Sequence, residues 1–225
     1  MKKFNLPTRR QCFEIIKEYH VPPHILKHSL AVAKLGVFLA ERLREKGEAV
    51  DVDLVDRACL LHDIVRVCDF KDLDYGNFEQ TVTEQNEAKW QQIRAAYKGT
   101  GHENAAYSIL KEKYPALALT VKKHRYMAML DEKTRPSTWE EKLLYYADMR
   151  VMHDRIVPLK TRLREGHKRN AFLHGTEAQS KINTAKVDPL IFRLEQEIFD
   201  RLALTPVALT DEFIDSYSNK TQRAY

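Results

Sequence analysis

Ala58-Cys59-Leu60-Leu61-His62-Asp63-Ile64 is the stretch that decides how this 225-residue chain reads. Val55, Ala58, His62 and Val65 recur at helical spacing, which predicts a buried stripe on a helix from about Asp53 to Val67. Asp63 then sits about 100° further round the same helix. A histidine and a carboxylate side by side on an apolar helix cost free energy to bury. A cation, most simply a metal ion, satisfies both at once.

Working outward, four more polar side chains fall on apolar faces. A helix from about His24 to Lys46, closed by Gly47, carries Ile25, His28, Val32, Leu35 and Leu39 on one stripe. His102 opens a helix ahead of Ala105, Ala106 and Ile109. The helix opened by Pro115 contains His124, behind Leu117, Thr120 and Val121. Asp148 shares a face with Leu144, Tyr145 and Met152 on a helix from about Thr138. Taken singly, an inward histidine reads as a hydrogen-bonded core residue and an inward aspartate as half of an ion pair. His28, His62, Asp63, His102, His124 and Asp148 together are explained by mutual partnership through one or two metal ions.

The remaining segments complete an all-α expectation. Only 7 glycines and 8 prolines interrupt the chain, and 44% of residues are hydrophobic, enough for a real core. A first helix is predicted over about 8–20 and a polar helix through Trp90 to Tyr97. Residues 69–77 and 130–137 read as loops, and Gly166 and Gly175 as turns. Asp188-Pro189 reads as the opening of a last amphipathic helix through Leu204, with a frayed tail after about Tyr217. Residues 1–170 form the expected core and 171–225 a C-terminal helical extension and tail.

A net charge of +5 with interspersed signs fits an anionic substrate and does not signal nucleic-acid binding. Cys12, Cys59 and Cys68 form no CxxC pair and read as reduced thiols. There is no membrane-length apolar run, and Met1-Lys2-Lys3-Phe4-Asn5-Leu6-Pro7 lacks the apolar region of a signal peptide. The expectation is therefore a cytoplasmic protein.

In order and context, His28, the pair His62-Asp63 within Leu-Leu-His-Asp-Ile, and Asp148 within Tyr-Tyr-Ala-Asp-Met-Arg resemble the H…HD…D signature of the HD-domain phosphohydrolases. The likeness covers about residues 20–155. Gly101-His102-Glu103 and Val121-Lys122-Lys123-His124 are similar to the extra histidines of dinuclear members, and the six-donor layout resembles the bacterial symmetrical diadenosine-tetraphosphate hydrolases. The chain departs from those hydrolases in a longer stretch between Asp69 and His102 and in the Arg-Tyr-Met that follows His124. About fifty C-terminal residues lie outside the likeness.

The resemblance implies an HD-domain helical bundle and a metal-dependent hydrolase. His28, His62, Asp63 and Asp148 would bind one divalent ion (Fe, Mn, Co, Zn or Mg), His102 and His124 a second, with Asp63 as the bridge. Hydrolysis of a phosphoester or phosphoanhydride of a nucleotide or related small compound by a metal-activated water is the implied reaction. Asp63 and Arg66 are its expected catalytic residues, and Arg66, Lys123, Arg125 and Arg150 its expected substrate-binding cations. Glu103 and Asp131 are further acids near the donors, and His24 is a residue of the substrate pocket, a support behind the ligands, or part of the helix opening. His20, His153, His167 and His174 read as surface residues. The same residues leave open a non-catalytic nucleotide-binding HD module and a dinuclear-iron HD oxygenase.

Overall fold

The computed structural model describes residues 4–70, 73, 81–170 and 177–222. Those residues form ten α-helices and one two-stranded hairpin, so the fold is all-α. The helices are α1 Arg9–Glu18, α2 Pro23–Glu45, α3 Val52–Leu61, α4 Glu84–Tyr97, α5 His102–Leu110, α6 Pro115–Lys122, α7 Trp139–Asp148, α8 Leu159–Asn170, α9 Glu177–Leu202 and α10 Asp211–Gln222. The hairpin pairs β1 Val151–Met152 with β2 Arg155–Ile156 in antiparallel register.

Local chemistry sets the ends of these helices. Thr8 with Gln11, and Thr138 with Glu141, make reciprocal capping boxes at the starts of α1 and α7. The Asp51 carboxylate caps α3 by accepting from the Leu54 amide. Pro23 and Pro115 stand at first-turn positions, where a missing N–H costs nothing.

α2 is the central element and packs chiefly on α3 and α7. The close approach to α3 needs a residue without a side chain at Gly36. A Cβ there would lie 2.8 Å from Cys59 Sγ and 3.2 Å from Val55 Cγ1. The apolar cluster is continuous from Val32, Leu35 and Leu39 through Leu143 and Leu144 to Val187, Ile191 and Ile198. The C-terminal helices therefore share the core of the rest of the chain.

Five expectations need correction. α3 ends at Leu61, not near Val67. His62 is its C-cap, and a turn followed by a 3-10 helix over Arg66–Asp69 replaces the last predicted turns. Apolar residues spaced three apart suit a 3-10 helix as well as an α-helix, so their pattern does not mark that boundary. α6 ends at Lys122, which leaves His124 beyond it. Gly166 lies inside α8 and is not a turn.

Pro189 lies inside α9 and does not open it. A proline in a helix interior costs about 3 kcal/mol. Here the buried stripe Val187, Ile191, Leu194, Ile198 and Leu202 runs past it, and packing on both sides of the proline outweighs that cost. α10 extends to Gln222, beyond the point where the tail was expected to fray. His174, Gly175 and most of the predicted loop 69–77 lie outside the described residues. Among the described residues no helix is long and apolar enough to cross a membrane.

Candidate metal centre

The six predicted donors come together from α2, the end of α3, the start of α5, the segment after α6, and the end of α7. His28 Nε2 is 3.0 Å from Asp148 Oδ1, and His62 Nε2 lies 3.8 Å from the same oxygen and 3.6 Å from Asp63 Oδ2. The other Asp63 oxygen, Oδ1, is 3.1 Å from His102 Nε2 and 3.7 Å from His124 Nε2. Among the six, two donor groups of metal-binding dimensions result, His28 with His62 and Asp63, and Asp63 with His102 and His124; a third, Asp69 with His102 and Glu103, adjoins them. The first two share Asp63.

The backbone orients these rings. His62 Nδ1 donates to the Cys59 carbonyl and His124 Nδ1 to the Val121 carbonyl, each three residues back at a helix C-terminus. Carbonyls in the last turn of a helix lack their usual partner four residues on, and the ring bonds use that free capacity while fixing each ring; the Val121 carbonyl also accepts from the His124 amide at 3.4 Å. His28 Nδ1 donates to the His153 carbonyl, 2.8 Å away in the hairpin turn. A carbonyl can only accept, so all three Nδ1 atoms carry the proton; Nε2 of His62 and of His124 then presents a lone pair inward, while His28 Nε2 donates to Asp148 Oδ1 when no cation stands between them. His102 Nδ1 is held instead by Asp69 Oδ2 at 2.6 Å.

This donor set fits a cation. His62 Nε2 and Asp63 Oδ1 are buried without a hydrogen-bond partner among the described residues. His102 Nε2 and His124 Nε2 stand 2.8 Å apart. With the His102 proton on Nδ1 toward Asp69, two lone pairs face each other beside a carboxylate oxygen. The Arg66 guanidinium, 2.9 Å from His102 Nε2, offsets part of their repulsion, and a cation between the rings would remove it.

Electrostatics point the same way. Burial dominates at His62 and lowers its pKa to about 4, so the imidazole is neutral at pH 7 and free to ligate. Burial pushes the Asp63 carboxyl up, but the neighbouring His62, Arg66 and His102 outweigh it and hold the group well below the carboxylate range. Burial likewise opposes ionisation of Asp148, and its hydrogen bond to His28 overcomes that. Burial and the Arg66 charge push His102 down, yet Asp63 and Asp69 leave it raised. Burial also pushes His28 down, and Asp148 raises it. Both histidines therefore sit where positive charge is favoured.

The predicted substrate cations divide into two pairs. Arg66 Nη1 lies 2.7 and 2.9 Å from the two ring nitrogens of His102, at the donor cluster. Arg125 is half exposed and approaches Glu103 at 3.5 Å. The structure commits Lys123 and Arg150 to other partners. Lys123 Nζ binds Glu141 at 2.9 Å and Ser137 at 3.4 Å, at the N-terminus of α7. Asp148 is at the other end of that helix, roughly 10 Å away by helical rise.

Arg150 is 1% exposed and turns toward the C-terminal segment. Its donors bind the carbonyls of Val157, Pro206 and Leu209 and the Tyr146 hydroxyl, with Glu195 at 3.5 Å. Nothing in a single sequence distinguishes such a structural arginine from one that faces a substrate.

Glu103 is buried beside His102, and Asp131 shapes a turn by accepting from the Lys133 amide. The His24 ring stacks near Phe70 at 6.4 Å. Two residues escaped the sequence reading. Asp69 holds His102, and His153 holds His28 through its carbonyl, at a φ of 57° that few non-glycine residues adopt. A backbone acceptor leaves no mark on residue identity. Asp69 was hidden among several acids of a predicted loop.

No curated protein and no solved structure matches the chain significantly. The profile of the HD domain matches residues 25–150, from the first turn of α2 to just beyond Asp148. HD domains bind divalent metals, and the family includes metal-dependent phosphohydrolases. Because the match spans more than half of the sequence and takes in all six converging donors, the chain belongs to the HD domain family.

Proposed function

We propose that this protein is a dinuclear metal-dependent phosphohydrolase acting on a nucleotide or a related small phosphorylated compound. The observation that carries this reading is the sharing of Asp63 between two donor groups. His28, His62, Asp63 and Asp148 would hold one divalent ion, and Asp63, His102 and His124 the other. Imidazole and carboxylate donors without thiolate suit Fe, Mn, Co or Zn, and Mg at the carboxylates. When bound, the ions supply Lewis acidity, which lowers the pKa of a water and offsets charge developing on a phosphoryl group.

The chain's own residues prepare for that chemistry. Asp63 and Asp148 stay ionised and serve as ligands, not as proton donors. The Nδ1 bonds fix each ring before any ion arrives, so little reorganisation is needed. Arg66 stands beside His102 with its guanidinium available to a phosphoryl oxygen as charge builds there. Burial of the donors keeps bulk water from screening these charges. The test is metal analysis of the purified chain, followed by a panel of nucleotides and simple phosphoesters with wild type and Asp63→Asn. Hydrolysis that requires metal and Asp63 supports the reading; no turnover of any phosphate compound by metal-loaded protein refutes it.

A further inference from the structure

Among the donor rings, His28 is the one held from outside the span that matches the HD domain. Its Nδ1 partner, the His153 carbonyl, sits in the two-residue turn between β1 and β2. Two strands of two residues each do not hold a turn in water by themselves. The left-handed φ of 57° at His153 suits a tight hairpin turn but strains a residue that has a side chain. The position of that carbonyl is therefore set by whatever braces the hairpin.

α10 supplies a brace. Val157 donates to the Arg150 carbonyl at 2.9 Å, so the Ile156 amide, one residue earlier, points away from β1. Asp211, the first residue of α10, accepts from that amide through Oδ2 at 3.1 Å. The same oxygen is 3.3 Å from Arg155 Nε, and Oδ1 is 3.5 Å from Lys34 Nζ. Lys34 belongs to α2, the helix that carries His28. On the opposite edge of the hairpin, Arg162 Nε donates to the Val151 carbonyl at 2.7 Å. α10 is docked by apolar contacts that do not involve Asp211: Leu209 and Ile214 are buried, and Phe213 and Tyr217 meet Phe38 edge-on.

We propose that Asp211 is a positioning residue for His28: it braces the β1–β2 hairpin so that the His153 carbonyl fixes the ring, and the C-terminal helix thereby sets the affinity of one metal site and not of the other. The inference rests on the metal-centre reading for what His28 binds. The rings of the second donor group, His102 and His124, are held by Asp69 and by the Val121 carbonyl, with no contribution from the hairpin. Arg155 adds little, since its side chain is 65% exposed and water screens its ion pair. The bond to the Ile156 amide carries the bracing, and a neutral acceptor can replace the carboxylate there.

Titration of the full-length, metal-free chain with cobalt(II), followed by visible absorption, tests the proposal, with His28→Ala and His124→Ala marking which binding step belongs to which site. The partners that orient a metal-bound histidine change its affinity by about 10- to 100-fold. Acting one link further out, Asp211→Ala should weaken the His28 step by about tenfold and leave the other step unchanged. Asp211→Asn removes the charge but keeps an acceptor for the Ile156 amide, and should stay near wild type. Asp215→Ala removes the other α10 partner of Lys34, 2.8 Å from Nζ, without touching the hairpin, and should also stay near wild type. No loss in Asp211→Ala, equal losses at both steps, or an Asp211→Asn that falls as far as Asp211→Ala overturns the proposal. Circular dichroism checks folding, and Asp211→Ser, whose oxygen lies one bond nearer the backbone, takes the place of Asp211→Ala if that variant does not fold. Proton NMR of the metal-free chain needs no ion: the His28 Nδ1 proton should exchange slowly with water in wild type and Asp211→Asn and faster in Asp211→Ala. Unchanged exchange overturns the bracing. If exchange responds while wild type takes up no metal, the bracing stands and the metal-centre reading falls. If metal-dependent hydrolysis is found while neither exchange nor affinity responds to Asp211→Ala, the reverse holds.

Discussion

Replacing Arg150 by methionine separates a structural arginine from a substrate-binding one. The side chain is 1% exposed and its guanidinium joins α7 to β2, α9 and the segment before α10. Each hydrogen bond from a charged donor contributes about 1.5–3 kcal/mol. Burying the guanidinium offsets much of their sum, so the bonds cannot simply be added. Methionine fills the volume but leaves Glu195 partly buried opposite an apolar group, and three carbonyls lose a donor. Breaking a buried charged network from one side costs about 3–5 kcal/mol. For a chain of this size that lowers the melting temperature by roughly 6–20 °C. Urea unfolding followed by circular dichroism measures the cost, and phosphate binding by the folded variant should match wild type. A loss below about 1 kcal/mol combined with weakened phosphate binding would refute the structural role and return Arg150 to the substrate.

Three further outcomes follow from the geometry. Asp69→Ala should weaken metal binding at the His102 site by about 10- to 100-fold, because the ring loses the carboxylate 2.6 Å from Nδ1. Equilibrium dialysis with metal analysis checks this, and unchanged stoichiometry at low free metal contradicts it. Glu141→Gln should cost about 1–2 kcal/mol at pH 7, since the carboxylate binds Lys123, Ser137 and the Thr138 amide. Burial opposes ionisation of Glu141, but Lys123 and these donors hold its pKa below the ordinary 4.5. A depressed folded pKa gives stability that is complete above the unfolded value and lost as pH falls through the folded one. The gap between wild type and Glu141→Gln should therefore close in acid below about pH 4.5; a gap independent of pH is the contrary result. Gly36→Ala should destabilise by about 1–2 kcal/mol, since its Cβ meets Cys59 Sγ at 2.8 Å, despite the better helix propensity of alanine. A higher melting temperature would show that α2 and α3 can separate freely.

The donors were legible because burial makes polar side chains conspicuous. His28, His102 and Asp148 stand on apolar stripes, and the stripes gave both the helices and the inward direction. His62 and His124 were placed inside helices that in fact end before them. Their side chains still point inward because each ring folds back onto a carbonyl three residues earlier, a direction close to that of the missing turn. Cations were harder to place. Arg66 at the cluster, Lys123 on a helix cap and Arg150 in the core have similar sequence surroundings, and only tertiary contacts separate them. Pro189 misled for a related reason, since long-range packing of α9 overrides a strong local signal.

The central claim is that Asp63 joins two metal sites. Metal analysis by inductively coupled plasma mass spectrometry, on wild type and on folded Asp63→Ala purified without chelators, tests it most directly. The account predicts about two equivalents of divalent transition metal per wild-type chain, and loss of both ions in the variant, because both groups built from the six donors contain Asp63. Wild type that stays metal-free even after incubation with iron, manganese, cobalt or zinc would contradict it. So would a variant that keeps the wild-type content.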